Sequence, residues 1–437
     1  MPTTHLVQNG FPVRRPRPAP TSPETGGELA SRGGWLLLVW MFVVGFSQIV
    51  QFRYFGRVYL TDGLMLATVA MALVSHRRIP MPPRLGVVVL LCGLWLGSQV
   101  VTDLVRHTPS ADIARGWGKI GFTLVGLLAI ASVSRDSIAP SMALLCGLMA
   151  SKIVMAFAMP DETVRIESWK WGYGLPVTFF VIAGISLIPR RSVLVWAGLA
   201  APFLLSAVSL YHNFKSLFGI TFLVGVLNVI SHVYRARRLR PVTLLAAGVI
   251  VAAAYFAATA AYSTLALDGT LGGIAQDSMR RREASSLGFL LSGRSESLIS
   301  TRAIAESPIL GHGSWARDPE YVTRYIEILR ARGVRQDTAA LVRWGTIPTH
   351  SHLLGAWVEA GLLGALFWAY CLALTVRAAA QVTLSGMKGS VVVGFLMILL
   401  SWDILFSPYG AERRFYDAAY LVIAVIMLQR LRTRADV

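Results

Sequence analysis

The feature that most constrains this chain is a series of apolar runs, each roughly 18 to 25 residues long, that recur along most of its length. Runs of this length match the hydrocarbon core of a bilayer, where the backbone satisfies its hydrogen bonds only within helices or closed barrels. Apolar residues make up 54% of the 437 residues, and the mean hydropathy is +0.57. These properties predict an all-α polytopic membrane protein, a helical bundle of about twelve transmembrane helices.

The predicted spans divide the chain into five parts. Residues 1–34, rich in Pro, Gly, Thr and Arg, are expected to form a disordered cytoplasmic tail. Spans one to nine occupy residues 35–267, a large extracytoplasmic loop occupies 268–349, spans ten to twelve occupy 350–432, and 433–437 form a second cytoplasmic tail. The spans begin near Trp35, Val58, Leu85, Trp117, Ile138, Leu175, Val193, Phe214, Val242, Leu353, Val391 and Tyr416. No cleavage-site pattern precedes the first span, which we expect to be an uncleaved anchor.

The formal net charge of +18 would suggest a nucleic-acid partner in a soluble protein. Its placement indicates membrane topology instead, because arginines cluster in short connections such as Arg77–Arg78 and Arg190–Arg191. Basic residues are more numerous on the side that holds both termini. We therefore expect no nucleic-acid partner, cytoplasmic termini, and a long loop that faces the opposite side.

The long loop between spans nine and ten has the length of a functional segment rather than of a simple connection. One helix is predicted over residues 295–306, before Pro308. A second is predicted after the start signal of Asp318 and Pro319, with apolar residues at helical spacing up to Gly333. The loop is thus expected to be partly helical and to cover the bundle, with a cavity beneath it.

Two motifs lie in this region. The pair His350-Ser is followed, after nine residues, by Gly361 and then Gly364; upstream, Arg294 precedes the turn SPILGHG of residues 307–313. These motifs resemble the signature of the O-antigen ligase and O-antigen polymerase superfamily of bacterial envelope proteins. The layout of about twelve spans with a large loop before a late span is similar as well.

The resemblance implies an inverting, metal-independent glycosyltransferase of the bacterial cytoplasmic (inner) membrane, without a cofactor, whose active site faces the periplasm. The donor would be a glycan on undecaprenyl diphosphate, and the acceptor another glycan or a lipid core. Membrane lipid and a chain-length regulator would be further partners. The residues suit this chemistry, because arginine binds a departing diphosphate well and histidine is a base that titrates near neutral pH.

Residue by residue, the resemblance assigns His350 as the base or acceptor-orienting group and Arg294 as the cation that grips the diphosphate or a nearby sugar. A further family arginine precedes the large loop. This chain departs there, and the role is mapped onto Lys215, which keeps the charge but lacks the planar guanidinium.

Three more residues are substrate-binding candidates. His352 and Glu359 are seven residues apart, on one face of a helix, so that Glu359 is expected to orient the His352 imidazole or to reach acceptor hydroxyls. His312 lies between two glycines of the turn. The structural alternatives are an interfacial role for the histidines, a turn position for His312, an ion pair of Arg294 with Glu296, and snorkelling of Lys215 to the headgroups.

Other ionisable residues leave alternatives open. Lys152 and Asp403 lie within predicted spans and are expected to pair with each other or with Glu359. Asp161 and Glu162 are an alternative carboxylate base or metal pair. The cysteines are Cys92, Cys146 and Cys371; they lie apart in apolar runs and predict neither a disulfide framework nor a zinc site.

Two other functions compete with the enzyme. Twelve spans are common in secondary transporters, although the halves show no obvious repeat and the long loop is not central. The chain could also be a non-enzymatic partner of a polysaccharide assembly machine, with the loop as a docking surface. Within the enzyme class, polymerase and ligase stay unresolved, with a lean to a polymerase or a ligase-like exopolysaccharide enzyme because of Lys215.

Overall fold

A computed structural model describes residues 32–53, 56–75, 79–187, 194–237, 253, 256–257, 259–283, 296–331, 338–385, 387 and 389–435. Within these ranges the protein is all-α, apart from one antiparallel hairpin in which β1 (Gln51–Arg53) pairs with β2 (Arg57–Tyr59). The fold class predicted from the apolar runs is therefore confirmed at the level of an all-α membrane protein. Arg294 and the start of predicted span nine at Val242 lie outside the described residues.

The helices follow one another closely along the chain. The first group is α1 Arg32–Phe46, α2 Leu60–Val74, α3 Pro83–Val105, α4 Ser110–Ser134, α5 Ala139–Ala158, α6 Glu162–Ile166, α7 Gly174–Ile185, α8 Val195–Tyr211 and α9 Lys215–Arg237. The second is α10 Gly273–Glu283, α11 Glu296–Glu306, α12 Pro319–Ala331, α13 Thr338–Trp344, α14 His352–Ala360, α15 Leu362–Ser385, α16 Ser390–Phe406 and α17 Arg414–Ala435. A 3-10 turn at Ser47–Ile49 follows α1, a π-helix at Ser168–Tyr173 precedes α7, and residues 259–267 are also helical.

Among the described helices, five are long and apolar enough to cross a membrane: α3, α4, α5, α15 and residues 215–233 of α9. Apolar side chains cover the outside of the bundle, where Leu36, Leu90 and Trp196 are each more than 60% exposed. A surface of this kind is stable in lipid rather than in water.

Helix α17 is the centre of the bundle. Every residue from 414 to 428 is buried, and α3, α4, α5, α15 and α16 pack around it. Its first turn carries Arg414, which is 2% exposed and lies 3.0 Å from the Asp62 carboxylate of α2. The guanidinium also donates to the carbonyls of Ala411 and Arg57, so this buried charge is well satisfied.

Helices α11, α12 and α13 form a layer over one end of the bundle, called here the cap (residues 296–350). Helices α11 and α12 lie where the sequence predicts them. Asp318 accepts from the Glu320 amide at 2.9 Å and Pro319 takes the first helical position, so the start of α12 follows from its capping residues. An apolar cluster that includes Ile299, Tyr325 and Val358 joins the cap to α14.

The predicted tenth span is not one helix. It is divided at Gly361, whose φ of +69° ends α14 before α15 begins. A φ in this range is accessible to glycine at little cost, and the break frees the Leu362 amide to donate to the Ile309 carbonyl of the cap at 3.1 Å. The cap is therefore bonded directly to the backbone at the helix break.

Candidate functional site

The two sequence motifs pack against each other. In the turn of residues 307–313, the amides of His312 and Gly313 donate to the carbonyls of Val358 and Glu359 at 2.7 and 3.0 Å. A Cβ placed on Gly361 would lie 1.9 Å from the Ile309 carbonyl oxygen, and one on Gly311 would lie 2.7 Å from the Gly361 amide nitrogen. The glycines are thus required by close backbone contact, which locks the cap onto α14.

The facing ends of α3 and α4 support this turn. The Asp103 carboxylate of α3 accepts from the Ser314 amide at 2.6 Å, from the Ser314 hydroxyl at 2.7 Å and from the Trp117 indole at 2.8 Å. Arg106 donates to the Gly311 carbonyl at 3.1 Å. Bonds to a buried carboxylate are among the stronger ones, so α3 fixes the position of the cap.

A second anchor holds the other side of the cap. Arg317 donates both Nε and Nη2 to the Asp112 carboxylate, at 2.9 and 3.1 Å, and Arg115 approaches the same group at 2.7 Å. The Asp112 side chain is 3% exposed, while that of Arg317 is 46% exposed. A bidentate guanidinium–carboxylate contact restricts orientation as well as distance.

A cavity of about 500 Å³ lies between the cap and the bundle. His350 lines it, together with Glu359 of α14 and Lys119 of α4; the cap contributes Glu296 and Tyr325. The structure thus brings His350 and Glu359 of the predicted site to one cavity. Arg294 lies outside the described residues, although Glu296, two positions further along, is part of the lining.

The most prominent polar contact in this cavity is the ion pair of Lys119 with Glu359. Its Nζ and Oε2 atoms are 2.6 Å apart, and the two side chains are 10% and 17% exposed. The Lys119 ammonium also lies 5.9 Å from the centre of the Tyr409 ring. A cation, a carboxylate and an imidazole are therefore held in one half-buried space, a composition suited to orienting hydroxyls and phosphate oxygens.

His352 does not line this cavity. It is fully buried; its Nδ1 lies 2.6 Å from the Ser407 carbonyl oxygen, and its Nε2 lies 3.3 Å from Asp417 of α17 without the alignment of a hydrogen bond. Glu359 points to Lys119 instead of to this imidazole. The expected orienting contact between Glu359 and His352 is therefore wrong, because the partner on α4 competes for the carboxylate.

The other two candidates make contacts away from the cavity lining. His312 Nε2 lies 2.8 Å from the Ala303 carbonyl oxygen and its ring packs on Tyr321, so it joins the turn to α11. Lys215 begins α9, where its ammonium lies 5.1 Å from the centre of the Tyr262 ring and 3.7 Å from the Met279 sulfur. Their substrate-binding roles stay predictions.

The carboxylates of Asp403 and Asp161, two further candidates from the sequence, have partners outside the cavity lining. Asp403 pairs with Arg413 of the α16–α17 connection rather than with Lys152 or Glu359. The Asp161 carboxylate accepts from the Val164 amide at 2.9 Å and from the Thr163 hydroxyl at 2.7 Å, so it caps α6. These two bonds hold the pKa of Asp161 below its usual range.

Several residues of this region were missed by the sequence analysis, namely Asp103, Asp112, Lys119, Arg317 and Asp417. Four of them are ionisable side chains inside apolar helices, where charges are costly and default to a structural or functional role. Lys152 and Asp403 were identified because they are ionisable residues within apolar runs, and the same feature marks these four residues. The sequence pattern does not show which of these residues contact one another.

No family model matches the chain, and no curated protein matches it either.

Proposed function

We propose that the chain is a membrane glycosyltransferase of the O-antigen ligase or polymerase type, which moves a glycan from undecaprenyl diphosphate to a sugar hydroxyl. The observation that supports it is the cavity beneath the cap, where His350 lies with the Lys119–Glu359 ion pair. The proposal includes about twelve spans, cytoplasmic termini and a cap on the periplasmic side of the bacterial inner membrane.

In the proposed reaction, the acceptor hydroxyl oxygen attacks the anomeric carbon of the donor sugar with inversion. The bond from that carbon to the diphosphate oxygen breaks, and the lipid diphosphate leaves with the bonding electron pair. His350 takes the proton of the attacking hydroxyl, and Glu359, held by Lys119, accepts hydrogen bonds from acceptor hydroxyls. Arg294 is assigned to the departing diphosphate, for which a guanidinium is well suited.

A point substitution tests the proposal in the producing cell. His350→Ala should abolish the glycan product, while the amount of membrane-inserted protein stays the same. His212→Ala is the matched control, since His212 is exposed and stacks on Trp169 away from this cavity. Normal product from His350→Ala would contradict the enzyme assignment and favour a docking role for the cap.

Deletion of the gene distinguishes the two enzyme types. Long glycan chains that accumulate on the lipid carrier would indicate a ligase, because the glycan is then polymerised but not transferred to its final acceptor. Single repeat units on the carrier would assign a polymerase. Both outcomes can be measured by the length distribution of lipid-linked glycan.

A further inference from the structure

A second cavity, of about 220 Å³, is lined in part by the α16–α17 connection, which also contributes to the lining of the first cavity. It is enclosed by the β1–β2 hairpin, α5, the start of α7, and the connection from α16 to α17. Among the described residues, its lining has no member in common with the lining of the first cavity. The two spaces are therefore separate, and binding in the second does not require glycan transfer at the first.

The second cavity is basic. Four of its lining residues are cationic, namely Arg53, Arg57, Lys152 and Arg413, whereas two are acidic, namely Asp161 and Glu412. The acidic groups do not neutralise the cations fully, because two carboxylates face four cations. Arg413 is paired with Asp403. The cations left to bind an anion are therefore Lys152 and the two hairpin arginines.

The hairpin places like charges directly opposite each other. Arg53 and Arg57 are partners in the register of β1 and β2, so both side chains project from the same face. Two like charges at such positions repel each other, and an anion bound between them offsets this repulsion. Within the described ranges, the Lys152 ammonium shows neither a hydrogen bond nor an ion pair, although it lines the same space.

The rest of the lining combines three polar side chains with apolar and aromatic ones. Met155 and Leu175 lie beside Tyr416 and Tyr420, whose rings extend from the buried helix α17. The Tyr416 hydroxyl is already used, since it donates to the Leu148 carbonyl at 2.9 Å. A space that combines cations with apolar and aromatic surface fits an amphiphile whose charged part is small and anionic.

We propose that this second cavity binds a phosphate or diphosphate ester, with Lys152, Arg53 and Arg57 as the groups that bind its oxygens. Guanidinium and ammonium groups bind phosphate oxygens through charge-assisted hydrogen bonds. The ester can come from a lipid headgroup or from a free phosphate compound, and the affinity for an attached prenyl chain distinguishes these sources.

Equilibrium dialysis of radiolabelled inorganic pyrophosphate against the full chain in detergent tests the site. The wild-type chain should bind, and Lys152→Met should raise the dissociation constant at least about tenfold. The double variant Arg53→Gln/Arg57→Gln should weaken it as much. Arg53 and Arg57 are exposed, so this double variant should fold and still tests the site if Lys152→Met fails to fold.

Lys170→Met is the matched control, because Lys170 pairs with Glu167 outside both cavities and its loss should leave binding unchanged. Equal affinity in the wild type, Lys152→Met and the arginine double variant would overturn the proposal. Absence of any pyrophosphate binding by the wild type, in the presence or absence of a prenyl chain, would overturn it too.

Binding of farnesyl diphosphate and of farnesol shows whether the ester comes from a lipid or from a free phosphate compound. Farnesyl diphosphate that binds at least about tenfold tighter than pyrophosphate, through Lys152, assigns a lipid-borne ester. Equal affinities assign a free anion. Farnesol that binds as well as farnesyl diphosphate contradicts the site. His350→Ala should change none of these affinities, so failure here and failure of the proposed glycan transfer are distinguishable.

Discussion

At the scale of single residues, the ion pair of Lys119 and Glu359 is the contact on which the site depends most. The two side chains come from α4 and α14, and both are largely removed from solvent. A charge in such a position destabilises the protein strongly when its partner is removed, because the remaining group stays desolvated. The pair therefore fixes the side of α14 that faces the cavity.

Lys119→Met should lower the stability of the protein by about 2 kcal/mol, since the Glu359 carboxylate loses its charged partner. The double variant Lys119→Met/Glu359→Gln should recover part of this loss while glycan transfer remains impaired. Thermal unfolding of the detergent-solubilised chain measures the first effect, and a transfer assay the second.

Arg324→Met provides the control for that measurement. It breaks an ion pair with Glu320 on the surface of α12, where Glu320 is 70% exposed, and should change stability by about 0.5 kcal/mol or less. A loss as small for Lys119→Met as for this control would show that the cavity pair is screened by solvent.

At the scale of elements, the cap is joined to the bundle by backbone contact as much as by side chains. The turn of residues 307–313 meets the break between α14 and α15, and positive φ values at Gly311 and Gly361 allow the approach. This contact explains why the two motifs contain glycines at these positions. It also makes the geometry of the cavity dependent on the break at Gly361.

Gly361→Ala should destabilise the cap, because its Cβ would overlap the Ile309 carbonyl and its φ of +69° costs an alanine about 1 kcal/mol or more. Hydrogen exchange of residues 296–331 should accelerate. Gly93→Ala, in α3, has nothing within 4 Å of the new Cβ and should leave exchange unchanged. Equal protection of residues 296–331 in both variants would contradict the dependence of the cap on its contact with Gly361.

The contact between α11 and α12 should depend on pH. The hydrogen bond from Tyr321 and the Arg302 guanidinium hold the pKa of Glu306 below its usual range, while burial and this carboxylate raise the pKa of Tyr321. The ionised Glu306 carboxylate therefore stabilises the contact of α11 with α12 above the pKa of this group in the unfolded chain, about 4.3. This stabilisation is lost as the pH falls through the lower pKa of the folded protein.

Protection factors of α11 and α12 peptides, measured from pH 6 down to pH 3, should therefore fall in the wild type. Glu306→Gln should reduce that dependence, since it cannot titrate. If Glu306→Gln shows the same pH dependence as the wild type, the fall in protection is caused by another carboxylate of the cap.

At the scale of the whole molecule, the sequence predicts what depends on local pattern. Apolar runs gave an all-α membrane protein, and capping residues such as Asp318 located α12. Helical spacing predicted a contact of Glu359 with His352, whereas the structure brings Glu359 to the same cavity as His350. Partner choice could not be predicted, because Glu359 pairs with Lys119 and His352 approaches Asp417 across distances in sequence that no local period encodes.

Glycan transfer in the cavity beneath the cap can be tested with the purified full chain in liposomes. Given a prenyl-diphosphate-linked glycan and an acceptor glycan, the wild type and His212→Ala should form product in the presence of a chelator. His350→Ala should be slower by at least about a hundredfold, the usual contribution of a general base. Product formation by His350→Ala at the wild-type rate would contradict catalysis by this cavity, as would solute uptake by a wild-type chain that transfers no glycan.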